Sequence, residues 1–173
     1  YADLLDRIRV GYSLPQAAHY SVEREIEWYR SRPDFLDRTF RRGARYLHHL
    51  VTEIERRDMP LELALLPVVE SAFNPVAYSR SRASGLWQFI PSTGKHYGLT
   101  QNWWIDERRD VLRATDAALT YLQYLHDYFN GDWYLAIAAY NGGEGTVSRA
   151  VKKNAAAGRP TDARSDLYSL GVI

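Results

Sequence analysis

Apolar residues recur at helical spacing along two long stretches of this chain. One stretch predicts an amphipathic helix that stops before Pro60, because its apolar positions fall on one helical face. Its members are Leu36, Phe40, Leu47, Leu50, Val51 and Ile54. The other stretch predicts a second long helix through Val111, Thr115, Ala118, Leu119, Leu122, Leu125, His126 and Phe129. These two helices are the strongest pattern in the sequence.

Capping and helix-breaking residues predict shorter helices in the rest of the chain. Asn130-Gly131 ends the second long helix, and Asp132 can cap a helix that leads to Tyr140. Further boundaries are Ser21 and Pro33 around an early helix, Gly142-Gly143, a short helix from Glu144 to Lys153, and a surface loop at 155–165. No segment alternates convincingly like a strand, so the sequence predicts an all-α protein.

One carboxylate follows an entirely apolar run. Seven apolar residues, Leu63 to Val69, precede Glu70 and predict a helix buried on every side, with Pro60 in its first turn. Burial and the negative end of a helix both disfavour an ionised carboxylate and raise its pKa. A carboxyl that keeps its proton near neutral pH suits general acid catalysis. On this pattern alone, a solvated or ion-paired glutamate remains the alternative.

Three short motifs occur in a fixed order along the chain: Glu70-Ser71, Gly85-Leu86-Trp87-Gln88 and Ala139-Tyr140-Asn141. Their order, their spacing and the sequence between them resemble those of the lytic transglycosylases of glycoside hydrolase family twenty-three. The resemblance covers roughly residues 35–160. It implies a lysozyme-like, all-α single domain of the goose-type or soluble-lytic-transglycosylase-like kind. We expect this domain at 35–173, with residues 1–34 as extra N-terminal helices that pack on it.

The resemblance also implies a reaction. Members of the family are bacterial lyases that cut the β-1,4 bond between N-acetylmuramic acid and N-acetylglucosamine in peptidoglycan. Glu70 is expected to protonate the glycosidic oxygen and then to take the proton of the C6 hydroxyl, which closes on C1. The products end in 1,6-anhydro-muramic acid, and no water, metal or cofactor takes part. A tethered hydroxyl reacts at high effective concentration, so one carboxylate suffices.

Three substrate-binding residues are implied by motif position around the acid. Ser79, nine residues after Glu70, is expected to bond the N-acetyl group near the cleavage point, and Gln88 is expected to line the same subsite. Trp87 is expected to contact the adjacent sugar, although the family usually has Met at that position. The details of that contact therefore differ here from the family pattern.

Ser71, Tyr140 and Asn141 complete the predicted substrate-binding set. The Tyr140 hydroxyl is expected to point at Glu70 or the scissile bond, and Asn141 to hold the local backbone. A purely structural alternative stands beside each residue: Ser71 as a helix cap, Tyr140 as a core residue and Asn141 as a turn former. The sequence alone does not decide between them.

Composition narrows the classes of function. The length of 173 residues and the 46% share of hydrophobic residues suit one domain. The net charge of +1 does not indicate nucleic-acid binding, which requires a marked basic excess. Cysteine is absent, and no histidines have metal-ligand spacing. Aromatic residues make up 13% of the chain, and we expect Trp87, Trp103, Trp104 and Tyr97 to offer exposed rings to sugars.

Three rival functions remain open. A goose-type lysozyme-like hydrolase needs a further carboxylate to activate water, and we expect the charged residues Asp106, Glu107, Asp110 and Asp116 to be solvated rather than placed for that role. A catalytically inactive peptidoglycan-binding module would lack turnover. A helical-repeat scaffold needs several copies of one motif, and no second copy occurs.

The expected location follows from the resemblance. We expect the full-length protein to lie in the periplasm, anchored to the outer membrane, with peptidoglycan glycan strands as its partner. The chain has no apolar run near the ~20 residues of a membrane span and no initiating Met. We therefore expect a longer precursor, with wall-binding modules or an anchor outside residues 1–173.

Overall fold

The structure is a computed structural model that describes residues 2–16 and 20–162, with only the backbone of Ala2. Its helices are α1 (Ala2–Val10), α2 (Tyr20–Arg30), α3 (Pro33–Arg56), α4 (Leu66–Ser71), α5 (Pro91–His96), α6 (Val111–Tyr128), α7 (Trp133–Gly142) and α8 (Glu144–Ala156). Two 3-10 turns, Leu61–Leu65 and Glu107–Arg109, lie between them. Of the described residues, 66% are helical, and they form isolated β-bridges but no sheet. The all-α prediction is confirmed.

The predicted helix before Pro60 is α3. Its apolar stripe packs inward, with Leu47, Leu50 and Ile54 almost completely buried. The preceding helix ends at Arg30, before Pro33 as predicted, and Pro33 itself stands in the first turn of α3, where its missing N–H costs no helical bond. Ser21 lies inside α2 rather than at its cap, so that prediction is wrong.

The second predicted long helix is α6, and the cap after it is also confirmed. The Asp132 carboxylate accepts from the backbone N–H groups of Tyr134 at 3.0 Å and Leu135 at 3.1 Å, and α7 begins there. Helix α8 ends at Ala156, three residues beyond the predicted Lys153. The predicted loop at 155–165 is thus helical at its start and exposed at 157–162, and residues 163–165 lie outside the described residues.

The chain divides into two compact units between Ala118 and Leu119, a point inside α6. In the first unit, α1 packs on α3 and on the 3-10 turn Leu61–Leu65, and its Ile8 is 1% exposed. In the second unit, α7 packs on α8. The division into residues 1–34 and 35–173 stays a prediction, and its boundary falls inside α3. No helix among the described residues has both the length and the apolar character needed to cross a membrane.

Candidate active site

The apolar run before Glu70 folds as two short elements. The 3-10 turn Leu61–Leu65 leads directly into α4, which carries Glu70 one residue before its end. Pro67 stands at the start of α4, and because proline has no N–H it cannot continue an α-helical ladder from the preceding turn. The expectation of a helix buried on every side is wrong, since Val69 is 62% exposed.

The Glu70 carboxyl is half-buried and stands without a charged partner. Burial raises its pKa to about 6, as the sequence predicted. No described residue of its own unit donates a hydrogen bond to it or forms an ion pair with it. A large fraction of Glu70 therefore keeps its proton in mildly acidic solution, which is the state that a general acid requires.

Ser71 ties the end of α4 to the second motif. Its hydroxyl lies 2.8 Å from the carbonyl oxygen of Leu86 and 3.2 Å from that of Pro67. A serine hydroxyl has one proton, and both neighbours can only accept it, so that proton is used within the protein. This bond holds Glu70 next to the turn at 85–88. The substrate contact predicted for Ser71 stays a prediction.

Glycine is required at position 85. Gly85 has a φ of +86°, and a Cβ there would lie 1.7 Å from the carbonyl oxygen of Arg108. Both the left-handed backbone and this contact exclude a side chain. The Gly85 N–H also donates to the Ala77 carbonyl oxygen at 2.9 Å. Gly85 thus brings the turn at 85–88 against the segment at 106–109.

Gln88 closes the same turn with its side chain. Its Nε2 donates to the carbonyl oxygen of Gly85 at 2.8 Å and lies 3.4 Å from that of Ala77. Because both neighbours are acceptors, the amide nitrogen must face them, and Oε1 remains as an acceptor. The backbone of Gln88 is left-handed, with φ at +51°, which is uncommon for a side-chain-bearing residue. The structure thus leaves Gln88 able to accept from a substrate O–H or N–H.

Ser79 begins a tight turn that runs to Ala83. The Ser79 N–H donates to the Ala83 carbonyl oxygen at 2.9 Å, and the Ser79 hydroxyl accepts from the Ala83 N–H at 3.0 Å. The Ser81 hydroxyl lies 2.9 Å from that of Ser79. One hydroxyl can accept from Ala83 and Ser81 and still donate its own proton outward. Ser79 is half-buried, and its sugar contact stays a prediction.

A buried arginine, which the sequence analysis missed, holds this loop in place. Arg108 donates from Nε and Nη2 to the two carboxylate oxygens of Asp106 at 2.8 and 2.7 Å. Its Nη1 donates to the carbonyl oxygens of Arg82 at 2.7 Å and Phe89 at 3.0 Å. The bonds from Arg108 to the Asp106 carboxylate hold the pKa of Asp106 below its usual range. The sequence predicts a solvated Asp106. The one feature of the sequence that points to this ion pair is an acidic residue two positions before an arginine.

The tryptophans divide into buried and exposed residues. Trp87 is completely buried, and its indole N–H donates to the Thr115 hydroxyl at 2.9 Å. Its predicted sugar contact is wrong, because an indole enclosed in the core beside α6 offers no face to a ligand. Trp103 and Trp104 are 89% and 86% exposed, as expected, and Tyr97 is half-buried.

Tyr140 and Asn141 lie in the second unit, in the last turn of α7. The Tyr140 ring packs on that of Tyr121, with centroids 5.4 Å apart, and the Tyr121 hydroxyl donates to Glu144 at 3.1 Å. Tyr140 is half-buried and Asn141 is exposed. Asn141 is helical rather than part of a turn. The catalytic-site roles predicted for both residues stay predictions.

The four other carboxylates considered from the sequence all have structural partners within the first unit. Asp106 binds Arg108, Glu107 accepts from the Thr100 N–H, Asp110 accepts from the first N–H groups of α6, and Asp116 pairs with Arg57. The part of the chain that the structure describes contains no group of three His, Cys, Asp or Glu able to hold a metal ion. Glu70 alone among these carboxylates lacks a partner in its unit.

Comparisons with known proteins point to one family. Residues 52–162 match the family model described as the transglycosylase SLT domain. The chain is 45% identical over 162 residues to membrane-bound lytic murein transglycosylase D of Escherichia coli strain K12, an alignment covering 94% of this chain and 35% of that protein. It is 37% identical over 123 residues to membrane-bound lytic murein transglycosylase C of Glaesserella parasuis, covering 62% and 33%. The chain spans about a third of the length of these curated relatives.

Proposed function

Because this chain belongs to the family of transglycosylase SLT domains, with their lysozyme-like all-α fold, we propose that it is the catalytic domain of a peptidoglycan lytic transglycosylase. The observation that carries the proposal is Glu70, a half-buried carboxyl with a pKa raised to about 6 and no cation beside it in its unit. Two relatives named as lytic murein transglycosylases support the substrate class.

Glu70 serves first as an acid and then as a base. Its carboxyl donates a proton to the glycosidic oxygen while the bond from that oxygen to C1 of the muramic sugar breaks. The resulting carboxylate takes the proton of the C6 hydroxyl as the C6 oxygen bonds to C1. Glu70 ends protonated, water is neither consumed nor released, and the new chain end is a 1,6-anhydro sugar. A group with a pKa near the working pH suits both steps.

Ser79 and Gln88 supply complementary contacts to the sugar beside the cleaved bond. A Ser79 hydroxyl that accepts from Ala83 and Ser81 donates its own proton to the N-acetyl oxygen. Gln88 accepts from a sugar hydroxyl or amide through Oε1, because its nitrogen is held by backbone carbonyl groups. For Tyr140 and Asn141 the proposal keeps the roles that the family motif implies: a hydroxyl that takes part in the reaction, and support of the local backbone.

The engaged carboxylates favour a lyase over a hydrolase. A lysozyme-like hydrolase of this kind needs a second carboxylate that is free to activate water. Asp106 is bound by Arg108 and Asp116 by Arg57, while Glu107 and Asp110 accept backbone N–H groups. Each would have to give up a structural bond before it took a proton from water. The intramolecular C6 hydroxyl needs no such partner.

The proposed location is the bacterial cell envelope. Both relatives are named as membrane-bound murein enzymes, which supports a protein that works where peptidoglycan lies. We further propose that the full-length protein is periplasmic and anchored to the outer membrane. Wall-binding modules in the remainder of the protein would add to its affinity for the glycan strands.

Mass analysis of released muropeptides tests the proposal. The purified chain is incubated with sacculi, and soluble products are compared with those released by a hydrolytic muramidase. We expect products lighter by one water, with no reducing muramic end, and none from the Glu70→Gln variant. Hydrated products would identify a goose-type hydrolase, and binding without release would identify an inactive binding module.

A further inference from the structure

Two adjacent tryptophans project from the loop at 101–106, which we call the tryptophan loop. Trp103 and Trp104 are 89% and 86% exposed, and neither has a hydrogen bond, ion pair or ring contact from its side chain in the described part of the chain. Large aromatic side chains usually bury most of their surface. Two free indoles side by side therefore mark a contact surface.

Hydrogen bonds along the backbone of the tryptophan loop fix its shape. The Asn102 carboxamide oxygen accepts from the N–H groups of Trp104 at 2.8 Å and Ile105 at 2.9 Å. The Asn102 N–H in turn donates to the Ile105 carbonyl oxygen at 2.8 Å. The exposed rings thus stand on an ordered turn, so a ligand that binds them does not have to order the backbone first.

The base of the tryptophan loop is joined to the loop that follows Glu70. Thr100 and Glu107 close the base through backbone and side-chain bonds of 2.9 and 2.6 Å. Immediately beyond it, the buried Arg108 donates to carbonyl oxygens at positions 82 and 89. The rings are therefore held on the same framework as the turn that carries Gln88.

We propose that Trp103 and Trp104 form a glycan-binding site, distinct from the residues at the cleaved bond, that takes the pyranose faces of the β-1,4-linked strand. This inference rests on the proposed function and assigns a second contact to the same substrate. Indole rings cover the apolar C–H faces of sugars, and their N–H groups donate to sugar oxygens. Two such contacts hold a long strand while Glu70 acts on one of its bonds.

The charges around the tryptophan loop favour a glycan over a lipid surface. Segments that bind anionic bilayers combine aromatic residues with an excess of Lys and Arg. Here three acidic residues and three arginines balance between residues 99 and 113. Arg108 and Arg113 are also paired, to Asp106 at 2.7 Å and to Glu107 at 3.5 Å. A neutral, hydroxyl-rich strand fits this surface better than anionic headgroups do.

Binding without cleavage gives the direct test. In a Glu70→Gln background, the affinity for purified sacculi is measured by co-sedimentation with and without the pair Trp103→Ala and Trp104→Ala. We expect about fivefold to tenfold weaker binding when both rings are removed. The pair Trp103→Phe and Trp104→Phe keeps two aromatic faces and should retain most of the affinity. Trp28→Ala, which removes a part-exposed indole from α2, should bind as the parent does.

Fluorescence provides a second readout that does not depend on sedimentation. Soluble glycan strands added to the Glu70→Gln protein should shift indole emission to the blue and protect it from acrylamide quenching. Both effects should vanish in the double alanine variant, because Trp103 and Trp104 are the two most exposed indoles among the described residues. Both rings are highly exposed and have no side-chain bond or ring contact among the described residues, so the variant should keep the parent's Tm, which excludes misfolding as the cause.

The outcomes separate this inference from the proposed function. Unchanged sacculus binding by the double alanine variant overturns the glycan site, even if wild-type protein still releases anhydro products. If the double alanine variant loses binding to phosphatidylglycerol vesicles that the parent shows, while its sacculus binding stays intact, the glycan site is also overturned and the two rings form a membrane contact. If wild-type protein releases no muropeptides and the Glu70→Gln parent does not bind sacculi, the proposed function itself fails.

Discussion

Two carboxylates in the first unit have opposite environments. Glu70 at the end of α4 is half-buried without a donor from its unit, and its pKa rises to about 6. Asp106 before the turn at 107–109 receives two bonds from Arg108, and its pKa falls below the usual range. Burial acts on both groups in the same direction, so the presence of Arg108 beside only one of them causes the difference.

This contrast separates a reactive group from a structural one. Asp106 has a partner, keeps its charge and positions a buried arginine that fixes the loop after the acid. Glu70 has been left without such a partner, so its proton can be given up and regained. Two carboxyl groups of similar chemistry thus have different roles, one reactive and one structural, because Arg108 lies beside only one of them.

Replacing the unpartnered carboxylate should have the largest effect. Glu70→Gln keeps the shape of the side chain but removes its proton transfer, which typically costs about 10²- to 10⁴-fold in rate. Because Glu70 serves as acid and base, we expect the upper end of that range in the release of soluble muropeptides. The exposed Glu27→Gln is the matched control and should be as active as wild type. A residual activity above about a tenth would contradict the assignment.

Removing the partner of Asp106 should be the next largest effect, and it should appear in stability. Arg108→Met removes the close ion pair of the Asp106 carboxylate, which keeps only Arg109 at 3.9 Å, and removes the donor to the carbonyl oxygens at positions 82 and 89, a change that costs about 3–5 kcal/mol. Urea unfolding at pH 7 measures the loss. Arg109→Met removes a longer ion pair, at 3.9 Å, and one bond to the Ser84 hydroxyl from a 45% exposed side chain, so it should cost clearly less than Arg108→Met. Equal losses in the two variants would show that Arg108 does not have the proposed structural role.

The raised pKa of Glu70 predicts two linked pH dependences. Because the first step needs the protonated acid, kcat/KM should fall about tenfold per pH unit above pH 6. Since the folded pKa lies above the unfolded value of 4.5, ionisation of Glu70 destabilises the folded state as pH rises from 4.5 through 6. The stability of Glu70→Gln relative to wild type should therefore increase by about 2 kcal/mol between pH 4 and pH 8.

Calorimetry at several pH values checks the second of these effects. Glu27→Gln, at an exposed side chain, is the control for the loss of one glutamate in the same measurement. A stability difference between Glu70→Gln and wild type that is flat with pH would mean that Glu70 keeps an ordinary pKa in the folded protein.

The smallest expected effect is that of a chelator. The other carboxylates considered in the first unit, Asp106 among them, already accept bonds within the protein, and the proposed reaction uses no Lewis acid. Protein treated with EDTA and dialysed should release muropeptides at the untreated rate. A large loss that zinc restores would mean that one of these carboxylates leaves its partner to bind metal.

Local patterns in the sequence predicted much of the fold. Helices α3 and α6 follow from apolar spacing, and the start of α7 follows from Asp132, because both signals act within a few residues. The raised pKa of Glu70 also followed from its apolar neighbours. Pro67 lies in the same run, and because proline has no N–H the run folds as a 3-10 turn followed by a short helix.

Contacts between distant segments could not be predicted in the same way. Trp87 and Trp103 both lie in the stretch between Glu70 and α6, and the buried position of Trp87 beside Thr115 becomes evident only from the fold. Arg108 lies in a charged run that is typical of solvent-exposed helix faces. Its burial depends on carbonyl groups at positions 82 and 89, which the fold alone brings to it.

The close approach at Gly85 also restricts how this protein can evolve. A carbon atom added there would lie 1.7 Å from the Arg108 carbonyl oxygen, so no point substitution at position 85 is tolerated without a backbone shift at position 108. Insertions and deletions between these two positions are acceptable only if they return the same carbonyl to the same place. Changes within the intervening segment are therefore limited to those that keep positions 85 and 108 together and leave Gln88 and Asp106 in place.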